Sequence, residues 1–279
     1  MTAPHITFIG AGNMASAIIK GLLAKGFAAD QISASCPEPA QLDTLSREYG
    51  IGTSTDNTAF TAQADIVILA VKPQVMAPVC EGLVDTVQQR RPLIISIAAG
   101  LSSGQIDQFL GGGLPVVRVM PNTPAQVGCG ATGMFANAQV SPEQRSQAEA
   151  IFRAVGIVEW FEDEQQLHAV TALSGSGPAY GFLFIEALED AAVSCGLNAD
   201  QARRLAIQTL AGAAKLAAES DLPPGELKRR VMSPGGTTEQ AIRTFEAGGF
   251  EALVRKAVQA AWRRGFELAG DVPPEPGAQ

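Results

Sequence analysis

From Ile6 to Glu162 the chain alternates short apolar, β-rich runs with stretches of helical pattern. "ITFIG" leads into "NMASAIIKGLLAKG", "ISASC" into "AQLDTLSREYG", "DIVILAV" into "VMAPVCEGLVDTV" and "LIISIAAG" into "SSGQIDQFL", with "PVVRVM" after them. Runs such as "DIVILAV" and "LIISI" are apolar at successive positions, hence on both faces, as strands must be when helices cover the sheet above and below. The alternation predicts a parallel sheet between two helical layers. "ATGMFA" and "VEWFE", separated by a helix across "PEQRSQAEAIFRAVG", extend that sheet until it ends near Glu162.

From about Glu164 the strand signal stops. "FLFIEALEDAAVSCG", "ADQARRLAIQTLAGAAKLAAES" and "FEALVRKAVQAAWRRGFELAG" are long Ala/Leu-rich helical stretches. The expected division is an α/β domain over residues 1–163 and an all-α domain over 164–279. Several of the helices are apolar around much of their circumference, with small residues at "AGAAKLAA" and "KAVQAAW", more than one small domain needs to bury. A homo-oligomer, a dimer or a dimer-based assembly, is the expectation, with a self-contained bundle as the alternative. The tail "DVPPEPGAQ" is rich in Pro and Gly and is expected to lack regular structure.

Twenty basic and 28 acidic residues give a formal charge of −8 without any Lys/Arg-rich run. Nucleic acid and anionic membrane surfaces are therefore poor partners, and an anionic ligand must be held by local groups. Cys36, Cys80, Cys129 and Cys195 are scattered, with only His5 and His168 to join them, so neither a disulfide framework nor a metal site is expected. "MTAPHITFIGAG" enters a strand without the pattern of a signal peptide, and no charge-free run reaches membrane-spanning length. The expected address is the cytoplasm.

"ITFIGAGNMASAI" sets Gly10, Gly12 and Ala15 at the spacing G-x-G-x-x-A, after a strand and at the opening of a helix. Gly10 permits the tight turn, Gly12 lets backbone approach a pyrophosphate, and Ala15 lets helix and strand pack closely. The helix N-terminus then faces the phosphates. The domain is thus read as a Rossmann-type dinucleotide-binding domain. At the end of the second strand, where NAD-binding versions carry a carboxylate for the ribose hydroxyls, this chain has Ser33, Ser35 and Cys36. Nothing there repels a 2′-phosphate, which favours NADPH with NADH possible. Two more strand ends bear on the ligand: "LAVKP", with Ala70, Val71, Lys72 and Pro73, and "IAAGLS", whose small residues leave room for a nicotinamide ribose and ring. "VMPNTPAQVGCG" follows the next strand, and its Asn122, Thr123 and two prolines read as a rigid polar loop.

These motifs converge. "FIGAGNM", "AVKP", "AAG", "MPNTP", "TALSGSGPAY" and "SPGGTTEQAI", in that order, make the whole chain resemble the pyrroline-5-carboxylate reductase family, the last two motifs most specifically. The resemblance implies NADPH at Gly10, Ala11, Gly12, Asn13 and Met14, at Ser35 and Asn57, at Val71 and Lys72, and near Ala98. It implies a substrate, 1-pyrroline-5-carboxylate, near Glu164, Ser233, Thr237 and Thr238. Arg230 stands where the family often has asparagine.

"TTEQ" reads as a capping box, with Thr237 as N-cap and Gln240 three residues on. Gly235 and Gly236 expose backbone N–H groups just before the helix, so the same object can cradle a carboxylate. Reduction of a hydroxyl or ketone group needs a protein acid or base, and related β-hydroxyacid dehydrogenases carry a lysine where "TALSGSGPAYGFLFIEAL" has none. A cyclic imine can arrive protonated and accept hydride without a strong protein acid. Catalysis is then orientation, with Thr238 as the residue expected at the reacting ring and Glu164 near its cationic nitrogen. The open alternatives are another imine reductase, a β-hydroxyacid dehydrogenase and a non-enzymatic NADP-binding regulator. The small residues of "LSGSGPAY" suit helix packing, with Ser176 and Tyr180 as candidates for supporting the site. His168 is read as a packing residue and stays outside the catalytic set.

Overall fold

In a computed structural model that describes residues 4–275, the chain divides into two compact units, one running to Ser176 and taking up the chain again from Ala261, the other spanning Gly177–Ala260. The expected boundary after residue 163 lies where the last strand has ended. The first unit continues past it and closes with the end of the last helix.

The first unit is built on eight strands: β1 (Ile6–Ile9), β2 (Ile32–Ser35), β3 (Gly52–Ser54), β4 (Ile66–Leu69), β5 (Leu93–Ser96), β6 (Val116–Met120), β7 (Gly130–Ala136) and β8 (Gly156–Trp160), in the order β3-β2-β1-β4-β5-β6-β7-β8. β1 is central, with Ile6 opposite Ile32 on one side and Ile66 on the other. The helices are α1 (Asn13–Ala24), α2 (Pro39–Tyr49), α3 (Thr58–Thr61), α4 (Met76–Glu81), α5 (Val84–Arg90), α6 (Ser103–Phe109), α7 (Pro142–Arg153) and α8 (Gln166–Val170).

The period-2 rule of strands shares the apolar residues between two cores. Ile6, Phe8, Ile66, Ile68 and Val117 face one core with Ile18 of α1, Leu45 of α2 and Phe152 of α7. Ile9, Val67, Leu69 and Ile94 face the other with Met76 of α4, Val87 of α5 and Ile106 of α6. Doubly apolar strands thus have the two helical layers they require.

The sheet is not wholly parallel, which corrects the expectation. β7 runs antiparallel to β6, with Val117 opposite Ala136, while β8 is parallel to β7. The link from β6 to β7 holds only a short 3₁₀ turn, Thr123–Val127. A parallel return needs a crossover of about a dozen residues or more, and this link is too short for one.

The second unit contains α9 (Gly177–Ser194), α10 (Ala199–Ala218), α11 (Pro224–Arg230), α12 (Thr237–Ala247) and the first part of α13 (Phe250–Ala269). Asn198 starts α10 with a full capping box, accepting the Gln201 N–H at 2.9 Å. Phe184, Phe245 and Phe250 form an aromatic trio with ring centres 5.5 to 6.2 Å apart. α9 has no buried residue in the single chain, and Phe182, Leu183, Leu205 and Leu253 stay exposed. At the C-terminal end, 271–275 has no regular structure, and the rest of the proline-rich tail lies outside the described residues.

Candidate active site

The carboxyl ends of β1, β2, β4 and β5 come together along one edge, and most of the expected cofactor residues lie there. Gly10 follows β1 at φ 102°, a left-handed conformation that glycine adopts without strain. A Cβ on it would sit 2.6 Å from the Ala70 carbonyl oxygen, so the turn also needs the missing side chain to pass the end of β4. The Gly10 N–H donates to the Ser35 carbonyl at 2.7 Å, tying the loop to β2. Ala11 is buried, and its carbonyl accepts from the Gln41 side chain on α2. Asn13 and Met14 open α1, whose N-cap is Gly12.

This cradle fits a pyrophosphate. Gly12 has no side chain to occupy the first-turn N–H groups of α1, and no acidic residue lies in that turn. A Cβ at Gly12 would meet no protein atom within 4 Å, so the backbone is bare toward the space before the loop. Orphan donors and the positive end of the helix dipole both favour an anion there. At the end of β2, the buried Ser35 hydroxyl donates to Asn57 Oδ1 at 2.7 Å, and no carboxylate follows until Glu38. Ala70 and Val71 leave β4, exposed Lys72 precedes the short turn Pro73–Val75, and buried Ala98 follows β5.

The Glu164 carboxylate is engaged by groups of the first unit. Its Oε1 accepts the Ser103 backbone N–H at 2.6 Å and an Arg118 guanidinium N–H at 3.1 Å, and its Oε2 accepts the Ser103 hydroxyl at 2.7 Å. The Arg118 side chain is 7% exposed, so the carboxylate neutralises a buried cation and anchors the first turn of α6 beyond Ala98. Sequence reading missed Ser103 and Arg118. The signal available was the charge inside the apolar strand "PVVRVM", because an arginine buried in a strand needs an anion.

His168 lies beside this cluster, buried, with its ring 4.0 Å from that of Phe266. Burial and the Arg118 charge hold its pKa below the ordinary imidazole value, against the opposing pull of Asp271 and Glu164. It packs in the first unit against Phe266.

In the second unit, Ser233–Gly236 form a tight turn in which the Ser233 carbonyl accepts the Gly236 N–H at 2.9 Å. Pro234 and Gly235, the latter at φ 71°, occupy the two central positions, as a type II turn asks. The turn leaves Gly236 extended, and this residue is the N-cap of α12. The expected Thr237–Gln240 capping box therefore does not form. The helix starts one residue earlier, and the Glu239 carboxylate accepts the Gly235 N–H at 2.7 Å while Arg243 balances its charge at 2.8 Å. Gly235 and Gly236 thus use their N–H groups within the turn. The first-turn N–H groups of Thr237 and Thr238 have no acceptor four residues back in α12, so they and the Thr238 hydroxyl are what the loop can turn toward an anion.

The eight-stranded sheet with its glycine cradle, joined to a helical unit bearing an anion-ready turn, defines a nicotinamide-dinucleotide oxidoreductase of two-domain plan. Comparison with known proteins agrees. Residues 5–100 match the family model described as NADP oxidoreductase, coenzyme F420-dependent, and residues 164–268 match that for pyrroline-5-carboxylate reductase dimerisation. The pyrroline-5-carboxylate reductase of Pseudomonas aeruginosa is 50% identical over 269 residues, 96% of this chain and 98% of its own. That of Escherichia coli is 40% identical over 95% of this chain and 98% of its own. Among solved structures, the Coxiella burnetii pyrroline-5-carboxylate reductase superposes with a TM-score of 0.92 at 45% identity, covering 95% of this chain and 98% of its own. The Plasmodium falciparum pyrroline carboxylate reductase, solved with NADP bound, gives 0.84 at 30% identity, covering 96% and 99%. The chain belongs to the pyrroline-5-carboxylate reductase family.

Proposed function

We propose that this chain is an NADPH-dependent reductase of 1-pyrroline-5-carboxylate, forming L-proline in the last step of proline biosynthesis. The observation that carries the reading is the Ser233–Thr238 turn: an anion-ready helix start, made of Ser, Pro, Gly and Thr, with no histidine, lysine or cysteine in it. Such a turn suits a substrate that brings a carboxylate to be held and a ring nitrogen already protonated.

Gly10, Ala11, Gly12, Asn13 and Met14 would hold the pyrophosphate, Ser35 and Asn57 the adenosine side, and Ala70, Val71, Lys72, Pro73 and Ala98 the nicotinamide side. When bound, the dinucleotide supplies the hydride. The chain's own part is orientation. Ser233 and the N–H groups of Thr237 and Thr238 hold the carboxylate, the Thr238 hydroxyl meets the ring nitrogen, and Gly235 and Gly236 shape the turn. Glu164 serves by fixing the start of α6 next to Ala98. Orientation alone is worth several powers of ten in rate, enough for an acceptor that is already an iminium.

A homo-oligomer belongs to this reading, supported by the exposed apolar residues of α9, α10 and α13. So does a cytoplasmic location, which the four free thiols support. The test is NADPH consumption with pyrroline-5-carboxylate, with six-membered and sulfur-containing ring imines, and with none. Consumption specific to the five-membered carboxylated ring is expected; NADPH binding without turnover of any imine would overturn the assignment.

A further inference from the structure

The loop "MPNTP" after β6 contains a side chain that the chemistry above does not use. Asn122 is 8% exposed. Its Oδ1 accepts the Ala131 N–H on β7 at 2.9 Å, and its Nδ2 donates to the Ser174 carbonyl at 3.0 Å. Both partners are backbone groups of fixed polarity, so only one orientation of the carboxamide satisfies them.

The Ser174 carbonyl has a sequence-level reason to need this donor. Four residues on stands Pro178, which has no N–H to complete the helical pairing. Just before it the chain widens into a π-helical turn over Thr171–Gly175, where the Ser176 N–H reaches back to the Thr171 carbonyl at 2.8 Å. Such turns are rare, and they recur at functional sites. Gly175 of this turn lies close to the end of β6, where a Cβ on it would come 2.7 Å from Cε of the flexible Met120 side chain. The carboxyl end of β6 is next in the sheet to that of β5, which Ala98 follows.

We propose that Asn122 is a positioning residue for hydride transfer: its carboxamide latches the Ser174–Ser176 turn onto the carboxyl end of β6, beside the nicotinamide side of the cofactor edge. This rests on the function proposed above. Asn122 touches neither cofactor nor substrate in this scheme; it acts through the backbone it holds.

The experiment compares wild type, Asn122→Asp and Asn122→Ala. The carboxylate of Asn122→Asp still accepts from Ala131 but faces the Ser174 carbonyl with a second acceptor. Asn122→Ala removes both hydrogen bonds and leaves the Ser174 carbonyl without its donor. The readouts are kcat and KM with pyrroline-5-carboxylate, NADPH affinity by fluorescence, and amide hydrogen exchange across residues 167–180 of the ligand-free protein. Both variants are expected to lose about tenfold or more in kcat, since small misplacements are costly where catalysis is orientation. NADPH affinity should stay within about twofold, because uniform binding is untouched. Exchange in the turn should quicken. Ile151→Val, a mild core truncation away from the turn, should lower thermal stability without lowering kcat. If Asn122→Asp does not fold, Asn122→Ala carries the same comparison. Wild-type kcat in the folded variants, unchanged exchange, or a kcat loss matched by an equal loss of NADPH affinity would overturn the latch. If the wild type fails to reduce the imine, the proposed function falls instead, which is a separate result.

Discussion

Glu164, Arg118 and Ser103 show how much one side chain can hold. Removing the carboxylate strands a guanidinium that is 7% exposed and frees the first turn of α6. Glu164→Ala should therefore destabilise the first unit by about 3 kcal/mol, since breaking a buried pair leaves an uncompensated charge. Calorimetry checks this, and an unchanged melting temperature would contradict it. His168 adds a pH term of definite sign. Its pKa is depressed in the folded chain by burial and Arg118, so the stability it contributes is present above about pH 6.5 and is lost as pH falls below that value. His168→Gln should flatten the acid side of the stability profile, and an unaltered profile would contradict the assignment. At this scale the sequence was legible where the backbone dictates the residue type, as at Gly10 with its φ of 102°. The pairing of Glu164 with Ser103 and Arg118 was not legible, because they lie 61 and 46 residues from it and meet it only in the fold.

The turn before α12 behaves as an element rather than as a set of residues. Gly235 holds φ 71° at the third position of a type II turn, and that conformation fixes where α12 begins. Gly235→Ala should cost about 1 kcal/mol in stability, because a side chain is strained in this region. It should also raise KM for the imine while leaving NADPH affinity unchanged; equal effects on both ligands would contradict the assignment. Thr238→Ala should likewise lower turnover or imine affinity far more than NADPH affinity. In α4, burial pushes the Cys80 thiol up to about 12 from an ordinary 9.0. The folded chain keeps that proton longer than the unfolded chain, so stability should fall as pH rises from about 9 toward 12, and Cys80→Ala should blunt the loss. The doubly apolar strands and the helical second half were readable because burial on two faces leaves no polar positions. The reversal at β7 was not, since a strand's pattern is the same in either direction and only the short link betrays it. The Thr237 cap failed for a related reason. Pattern alone favours Thr237–Gln240, but the Pro234–Gly235 turn leaves Gly236 extended and starts the helix there.

Across the whole molecule, the second unit leaves apolar side chains in water that a single copy cannot cover, Phe182 at 67% and Leu253 at 65% exposure among them. Two or more chains should associate through these helices, as the family's dimerisation model implies. Phe182→Arg with Leu253→Arg should shift the light-scattering mass to that of one chain; an assembly unaltered by both changes would place the interface elsewhere. The central claim concerns where the hydride goes. With NADPH deuterated at the transferring C4 position, the account predicts one deuterium in each L-proline formed, on the ring carbon that was doubly bonded to nitrogen. NADPH oxidised without deuterium at that carbon, or proline formed without NADPH oxidation, would contradict it.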